Sequence, residues 1–484
     1  MERDGKLDKD YIAARRLLLL LDSEERWFTL TEVKQRLGSS DKTIRKITER
    51  LNKQMPSDIS ILVSRGKGIY LQRDGQSKTI SEVISSIFRQ TIYYRLMNLL
   101  FTSGGKHSLE EIAELLFMSA SSLKKLIVQL NNNDLKPYKL QITYSAPRVK
   151  GNELNIRYFY WKLYENAYKF TGWPFQNISF EYIQQLITSL ESQQNLVYFI
   201  NSKRRLTFLV AIILQRAAKG DFVPIEEGNY PWEEGSFHIP VKELTEKMEE
   251  KLLVELPKNE VYFMQSQFSL SQYHYYEGSE MTPIKEIELY RNKPEFHMGN
   301  ELISLLTDYY VHIEEKEQFQ LEIYKFFEKL LIDNAIPGWM AVTKSVLTMY
   351  VQKECQQIYQ ELDGCMKNWQ VLHPSILYND YHLTKLTLLV RSSLRYKSKK
   401  AFLIMGEEFS IRHYIANLIK KEIGDQLIID TSIMKELTDE MVQLHHIDFV
   451  ISNLPVSLEA VPVVTISTIP SKRDLENIRK ELLR

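Results

Sequence analysis

Apolar positions recur along the first seventy-odd residues with a period that changes. Ile12 and Leu17–Leu21 predict a helix over Asp10–Asp22. Trp27 and Phe28 then precede TLTEVKQRLG, a short helix that Thr29 or Thr31 can cap and Gly38 can end. After a tight turn, Ser39 or Ser40 can cap a second helix from about Asp41 to Lys53, with Ile44, Ile47 and Leu51 on one face. DISILVSRGKGIYLQ (58–72) switches to period two, with Ile59, Ile61 and Val63, then Ile69 and Leu71, around a turn containing Gly66 and Gly68. Helix, turn, helix and hairpin in that order predict a winged helix-turn-helix.

Residues 108–151 repeat this layout. SLEEIAELL carries a capping box in Ser108 and Glu111. FMSASSLKKLIVQLNN places Leu123, Leu126, Ile127 and Leu130 on one face. LQITYSAPRVKGNEL (140–154) reads as a second wing with Arg148 and Lys150 at its turn. Residues 76–104 fit a connecting helix and the first helix of this unit.

From 155 to 396 the helical period dominates and no convincing strand is expected. Breaks fall at TGWPF (171–175), IEEGNYPWEEGSF (225–237), LPKNE (256–260) and AIPGW (335–339). The size suits two helical domains of roughly 110 residues each, meeting near Pro283 to Pro294. At Lys400 the pattern changes again. KKAFLIMG, QLIIDTS, IDFVISN and VPVVTIS are short apolar runs alternating with helical stretches, which predicts a small α/β domain with a parallel sheet of four strands. The expected chain is multidomain and mainly α, divided as 1–75, 76–165, 166–284, 285–396 and 397–484.

Charge sharpens the first unit. The 484 residues hold 62 basic and 62 acidic side chains, so any polyanion-binding surface must be local. SSDKTIRKITERLNK (39–53) concentrates Lys42, Arg45, Lys46, Arg50 and Lys53 against Asp41 and Glu49. Lys42, Thr43, Arg45, Lys46 and Arg50 lie mainly off the apolar face, and Arg65 and Lys67 sit at the hairpin tip. This predicts a surface for double-stranded DNA, with Arg45 and Lys46 as base readers and the others on phosphates. In the second copy only Lys124 and Lys125 supply helix cations.

Other chemistries find no support. Two cysteines, Cys355 and Cys365, exclude a disulfide framework or a cysteine zinc site and suit the cytoplasm. There is no phosphate-binding loop, no nucleophile elbow and no paired-histidine metal motif, and the ten histidines are scattered. No catalytic residue, metal or cofactor is expected. Glu407 and Glu408 occupy the first strand-to-helix loop, where they would repel a phosphate, so the last domain reads as an assembly or regulatory module. Leu17–Leu21 is too short to span a membrane.

RWFTLTEV (26–33), DKTIRK (41–46), GKGIYL (66–71), WPF (173–175) and IPSKRDLENI (469–478), with this order of parts, resemble the Mga/AtxA family of virulence regulators of Gram-positive bacteria, over essentially the full length. The resemblance implies that the two all-α domains are like regulation domains of the sugar phosphotransferase system (PTS). It implies that the last domain is like enzyme IIB of that system. It also implies a DNA-binding transcriptional activator, a homodimer, with promoter DNA, RNA polymerase and PTS phosphocarrier proteins as partners. Relatives carry phosphoryl acceptors in these domains. Here the corresponding positions hold Arg204, Gln267, Leu389 and Phe409, none of which accepts a phosphoryl group as imidazole does. Arg204 offers a fixed positive charge instead, and His382 and His274 are the neighbouring histidines. An RNA-binding antiterminator would open with a small β-rich domain. A phosphotransferase component would need a Cys or His at 407–409.

Overall fold

Three helices and a hairpin come first along the chain, and single side chains set the starts of two of the helices. The computed structural model describes residues 9–73, 79–168, 171–224, 238–279, 281–291, 296–309, 316–335, 346–394, 398–424, 426–432 and 438–483. Helix α1 (Lys9–Asp22) buries Leu17, Leu18 and Leu21. Helix α2 (Leu30–Leu37) starts where Thr29 Oγ1 accepts the Glu32 N–H at 3.2 Å and ends at Gly38, whose φ is +63°. Helix α3 (Asp41–Gln54) starts where Ser40 Oγ accepts the Thr43 N–H at 3.3 Å. Thr29 and Ser40, of the two candidates for each, are therefore the caps. Ile44, Ile47 and Leu51 are buried as expected, joined by Thr48, whose hydroxyl donates to the Ile44 carbonyl at 2.9 Å.

Strands β1 (Ile59–Ser64) and β2 (Gly68–Arg73) pair antiparallel, with Ile61 opposite Leu71 and Val63 opposite Ile69. Ile59 and Ile61 enter the core, but Val63, one pair from the turn, is 43% exposed. The expected alternation stops before the hairpin does.

The second copy follows as α4 (Ile80–Gln90), α5 (Ile92–Ser103), α6 (Leu109–Leu115), α7 (Ala120–Leu130), β3 (Gln141–Ile142) and β4 (Val149–Lys150). Ser108 and Glu111 form the predicted capping box on α6. Leu123, Ile127 and Leu130 are buried, and Leu126 is half-buried. The hairpin is a stub of two pairs, Gln141 with Lys150 and Ile142 with Val149. Lys150 is therefore in a strand, not in the turn, because pairing extends to it and only 143–148 loop out.

The helical region comprises α8 (Glu153–Tyr168), α9 (Phe180–Gln194), α10 (Ile200–Ala217), α11 (His238–Leu252), α12 (Lys258–Ser269), α13 (Pro283–Arg291), α14 (His297–Tyr309), α15 (Lys316–Ala335), α16 (Val346–Glu354), α17 (Gln356–Leu372) and α18 (Asp380–Ser393). The expectation of no strand here is corrected. Between α9 and α10 lies β5 (Leu196–Tyr198), and after α12 lies β6 (Tyr273–Tyr275); they pair antiparallel, Leu196 with Tyr275 and Tyr198 with Tyr273. Three residues are too few to establish a period-two signal. The breaks expected at 225–237 and 336–339, Pro294, and the proposed boundaries after 75 and 396 lie outside the described residues.

The chain separates into two compact units, one within residues 1–392 and one within 393–484. The second contains β7 (Lys399–Ile404), α19 (Phe409–Ile423), β8 (Leu427–Asp430), α20 (Asp439–Leu444), β9 (Phe449–Ser452), β10 (Val463–Thr465) and α21 (Lys472–Leu483). All four strands are parallel, in the order β10-β9-β7-β8. The aperiodic run of β7 is explained by cover on both faces. Ala401 and Leu403 pack with Ile415, Ile419 and Ile478, while Phe402 packs with Val442, Ile447 and Val450 on the other side.

In the larger unit a buried ion network joins distant segments. Arg157 on α8 is completely buried; its guanidinium forks onto Glu260 of α12 at 2.6 and 2.8 Å, and its Nε donates to Glu153 at 2.9 Å. Nη2 also donates to the Asp221 carbonyl at 3.0 Å, and Glu260 accepts the Val223 N–H at 2.7 Å. Arg216 of α10 completes the set, contacting Glu153 at 2.6 Å and Asp221 at 3.1 Å. Removing one partner strands a buried charge. Glu260→Ala is expected to cost about 3–5 kcal/mol, and Arg157→Met with Glu260→Leu together less than that single change. Urea unfolding followed by circular dichroism checks both; a double variant weaker than Glu260→Ala would contradict this account.

Candidate nucleic-acid interface

On α3 the side chains Lys42, Thr43, Arg45, Lys46 and Arg50 are all exposed, opposite the buried Ile44, Ile47 and Leu51. They do not all stand free. Arg50 pairs with Asp10 of α1 at 3.2 Å, and the Thr43 hydroxyl is 2.9 Å from Ser40 Oγ. Lys42, Arg45 and Lys46 have no acidic partner among the described residues. Arg65 and Lys67 are exposed at the hairpin turn.

The segment before α2 fixes that hairpin. Phe28 and Ile69 exchange two backbone hydrogen bonds of 2.8 Å, adding a one-residue bridge on the outer edge of β2 near the hairpin turn. Gly68, at φ +105°, permits this approach: a Cβ there would lie 2.0 Å from the Phe28 carbonyl oxygen. Trp27 stacks on Tyr70 at 5.4 Å, and the Lys67 ammonium lies 5.8 Å from the Trp27 ring. Arg26 holds Glu32 with contacts of 3.0 and 2.6 Å and lies 4.0 Å over the Phe28 ring. Sequence patterning gave Trp27 and Phe28 no role, because an isolated bridge leaves no periodic trace.

A second missed residue is Asn52. Its amide donates to the Ile61 carbonyl at 2.9 Å and accepts the Ile61 N–H at 2.8 Å, clamping the end of α3 to β1. The second copy repeats the device: Asn131 donates to the Ile142 carbonyl at 3.0 Å and accepts its N–H at 2.7 Å. Asn52 stands twelve residues after its helix cap Ser40, and Asn131 twelve after Ser119. This register aligns Arg45 and Lys46 with Lys124 and Lys125, both exposed, and aligns Gly38 with Phe117. Phe117 takes φ +57° and is 89% exposed, a conformation that strains a bulky side chain. The leucine-asparagine pair closing each helix is the signal that could have shown the clamp.

The four positions at which the resemblance implies a phosphoryl acceptor are dispersed. Arg204 on α10 is half-buried; its guanidinium donates to the carbonyls of Tyr168, at 3.2 and 2.6 Å, and Gly172, at 3.1 Å. It thereby caps the carboxyl end of α8. Gln267 on α12 donates to Ser266 Oγ at 3.2 Å, and Leu389 is half-buried on α18. Phe409, 68% exposed at the start of α19, stacks on His413. Of the neighbouring histidines, His274 is exposed on β6. His382 is buried, its Nε2 2.9 Å from Asp333, while its Nδ1 accepts the Asn379 N–H at 3.2 Å. Among the described residues no group of His, Cys, Asp and Glu could hold a metal, and no helix is long and apolar enough to cross a membrane.

Two substitutions test these devices. Asn52→Ala leaves the Ile61 N–H and carbonyl unpaired and is expected to cost about 2 kcal/mol. Phe117→Gly relieves left-handed strain and is expected to gain about 1 kcal/mol. Thermal unfolding reads both.

Residues 10–67 match the helix-turn-helix domain of the M protein trans-acting positive regulator, and residues 76–164 match the Mga helix-turn-helix domain. The chain is 26% identical to the capsule synthesis positive regulator AcpB of Bacillus anthracis, over 98% of both chains. It is 25% identical to the anthrax toxin expression trans-acting positive regulator of the same organism, again over 98% of both. A putative trans-acting regulator of Streptococcus pneumoniae is 21% identical over 90% of each chain. Two domain matches in tandem and relatives aligned end to end make the chain similar, over its full length, to the Mga/AtxA group of trans-acting positive regulators.

Proposed function

We propose that this protein is a cytoplasmic DNA-binding transcriptional activator of virulence or capsule genes, and not an enzyme. The observation that carries this is the exposed Arg45–Lys46 pair on α3, with no acidic partner among the described residues, on a helix clamped by Asn52 to the hairpin bearing Arg65 and Lys67. In this reading residues 1–75 and 76–165 are winged helices. α3 enters the major groove, Arg45 and Lys46 read base edges, and Lys42, Thr43, Arg50, Arg65 and Lys67 hold phosphates. Lys124 and Lys125 add a weaker second contact. Residues 9–54 hold the helices α1, α2 and α3, not the β-rich fold through which an RNA-binding antiterminator would bind.

Residues 166–284 and 285–396 are read as PTS-regulation-like domains and 397–484 as an enzyme IIB-like domain. The protein would act as a homodimer with RNA polymerase and receive input from PTS phosphocarrier proteins. Arg204, Gln267, Leu389 and Phe409 offer no imidazole, so any phosphoryl input falls on another histidine. His274 is the exposed one of the two neighbours.

The test is an electrophoretic mobility shift on promoter DNA over a salt series. Arg45→Ala with Lys46→Ala is expected to weaken binding at least about tenfold and to flatten the salt dependence. Lys124→Ala with Lys125→Ala should have a smaller effect. Wild-type affinity in the first double variant, or preference for hairpin RNA over duplex DNA, would overturn the proposal.

A further inference from the structure

A cleft of about 580 Å³ opens between the second hairpin, the start of α8 and the end of α10. Arg148 and Lys150 contribute to its wall from the hairpin; both are exposed, and neither has an acidic partner among the described residues. Arg216, also lining the cleft, is held by Glu153 and Asp221, which leaves the five charged wall residues with one surplus positive charge. Glu153 begins the 16-residue α8 at the same wall, with Asn152 just before it, so the positive end of that helix adds to the field.

Tyr160 supplies the second, independent sign of a ligand. It lines the cleft and is 1% exposed, yet its hydroxyl has no hydrogen-bond partner. A buried hydroxyl left unpaired costs about 1–3 kcal/mol, which a ligand oxygen recovers. Phe101 and Phe222 give the cleft an apolar side for a carbon skeleton.

We propose that this cleft binds a small organic anion, its phosphate or carboxylate held by Arg148 and Lys150 and an oxygen of its skeleton accepting from the Tyr160 hydroxyl. The cations come from the second helix-turn-helix unit, whereas Tyr160 and Arg216 come from the helices that follow it. Occupancy thus fixes the hairpin against those helices, an effector role that goes beyond the DNA-binding reading. Binding itself does not require that reading to hold.

Full-length protein without DNA is titrated calorimetrically with inorganic phosphate, a hexose phosphate and citrate. Saturable binding of the hexose phosphate or of citrate, at one site per chain, is expected; which of the two binds assigns phosphate or carboxylate. Arg148→Ala with Lys150→Ala should weaken it at least about tenfold. Tyr160→Phe should weaken it about fivefold to tenfold without lowering the unfolding temperature of the ligand-free protein, since the lost hydroxyl has no partner to lose. The proposal falls if no organic probe binds or if inorganic phosphate binds as tightly as both. It also falls if either variant retains wild-type affinity. Because DNA is absent, these outcomes are separate from failure of the promoter-binding test.

Discussion

Arg157 carries a charge with no access to water, and segments of the larger unit that are far apart in sequence converge to satisfy it. A guanidinium in the interior is tolerable only when each of its donors meets an acceptor in good geometry. Three segments far apart in sequence supply those acceptors: Glu153 one turn away on α8, the Asp221 carbonyl, and Glu260 on α12. Glu260 in turn takes the Val223 N–H, and Glu153 is shared with Arg216. Such a network is cooperative, since a partly satisfied set is worse than an apolar one. It fixes where α8 lies, and α8 begins three residues after the second hairpin ends.

Local chemistry was well legible. Thr29, Ser40 and the Ser108–Glu111 box announce helix starts because capping depends on residues only three apart. The buried faces of α3 and α7 follow from helical spacing, and the parallel sheet follows from runs without a period. What escaped was built from single side chains acting over distance. Asn52 and Asn131 bind backbone, Phe28 bridges to Ile69, and Arg157 meets Glu260 across 103 residues. None of these leaves a repeating mark. The β5–β6 ladder was hidden by its length, and Lys150 was misplaced because turn and strand compete at the edge of a two-pair hairpin.

The candidate site was legible as a charge pattern and not as an available surface. Five residues on α3 share an outward face, but Asp10 engages Arg50, and Ser40 engages Thr43. Only folding decides which of several exposed groups stands uncommitted. Arg204 shows the same point elsewhere. Its guanidinium is bound to the Tyr168 and Gly172 carbonyls and so braces the end of α8. A permanently ionised brace neither titrates near neutrality nor carries a phosphoryl group.

The asparagine clamp has a mechanical consequence. Two hydrogen bonds from one side-chain amide, one donated and one accepted, resist rolling or sliding of the helix against its hairpin, so that the two act as a lever. In both copies a force applied at any point of the lever displaces every tip residue together.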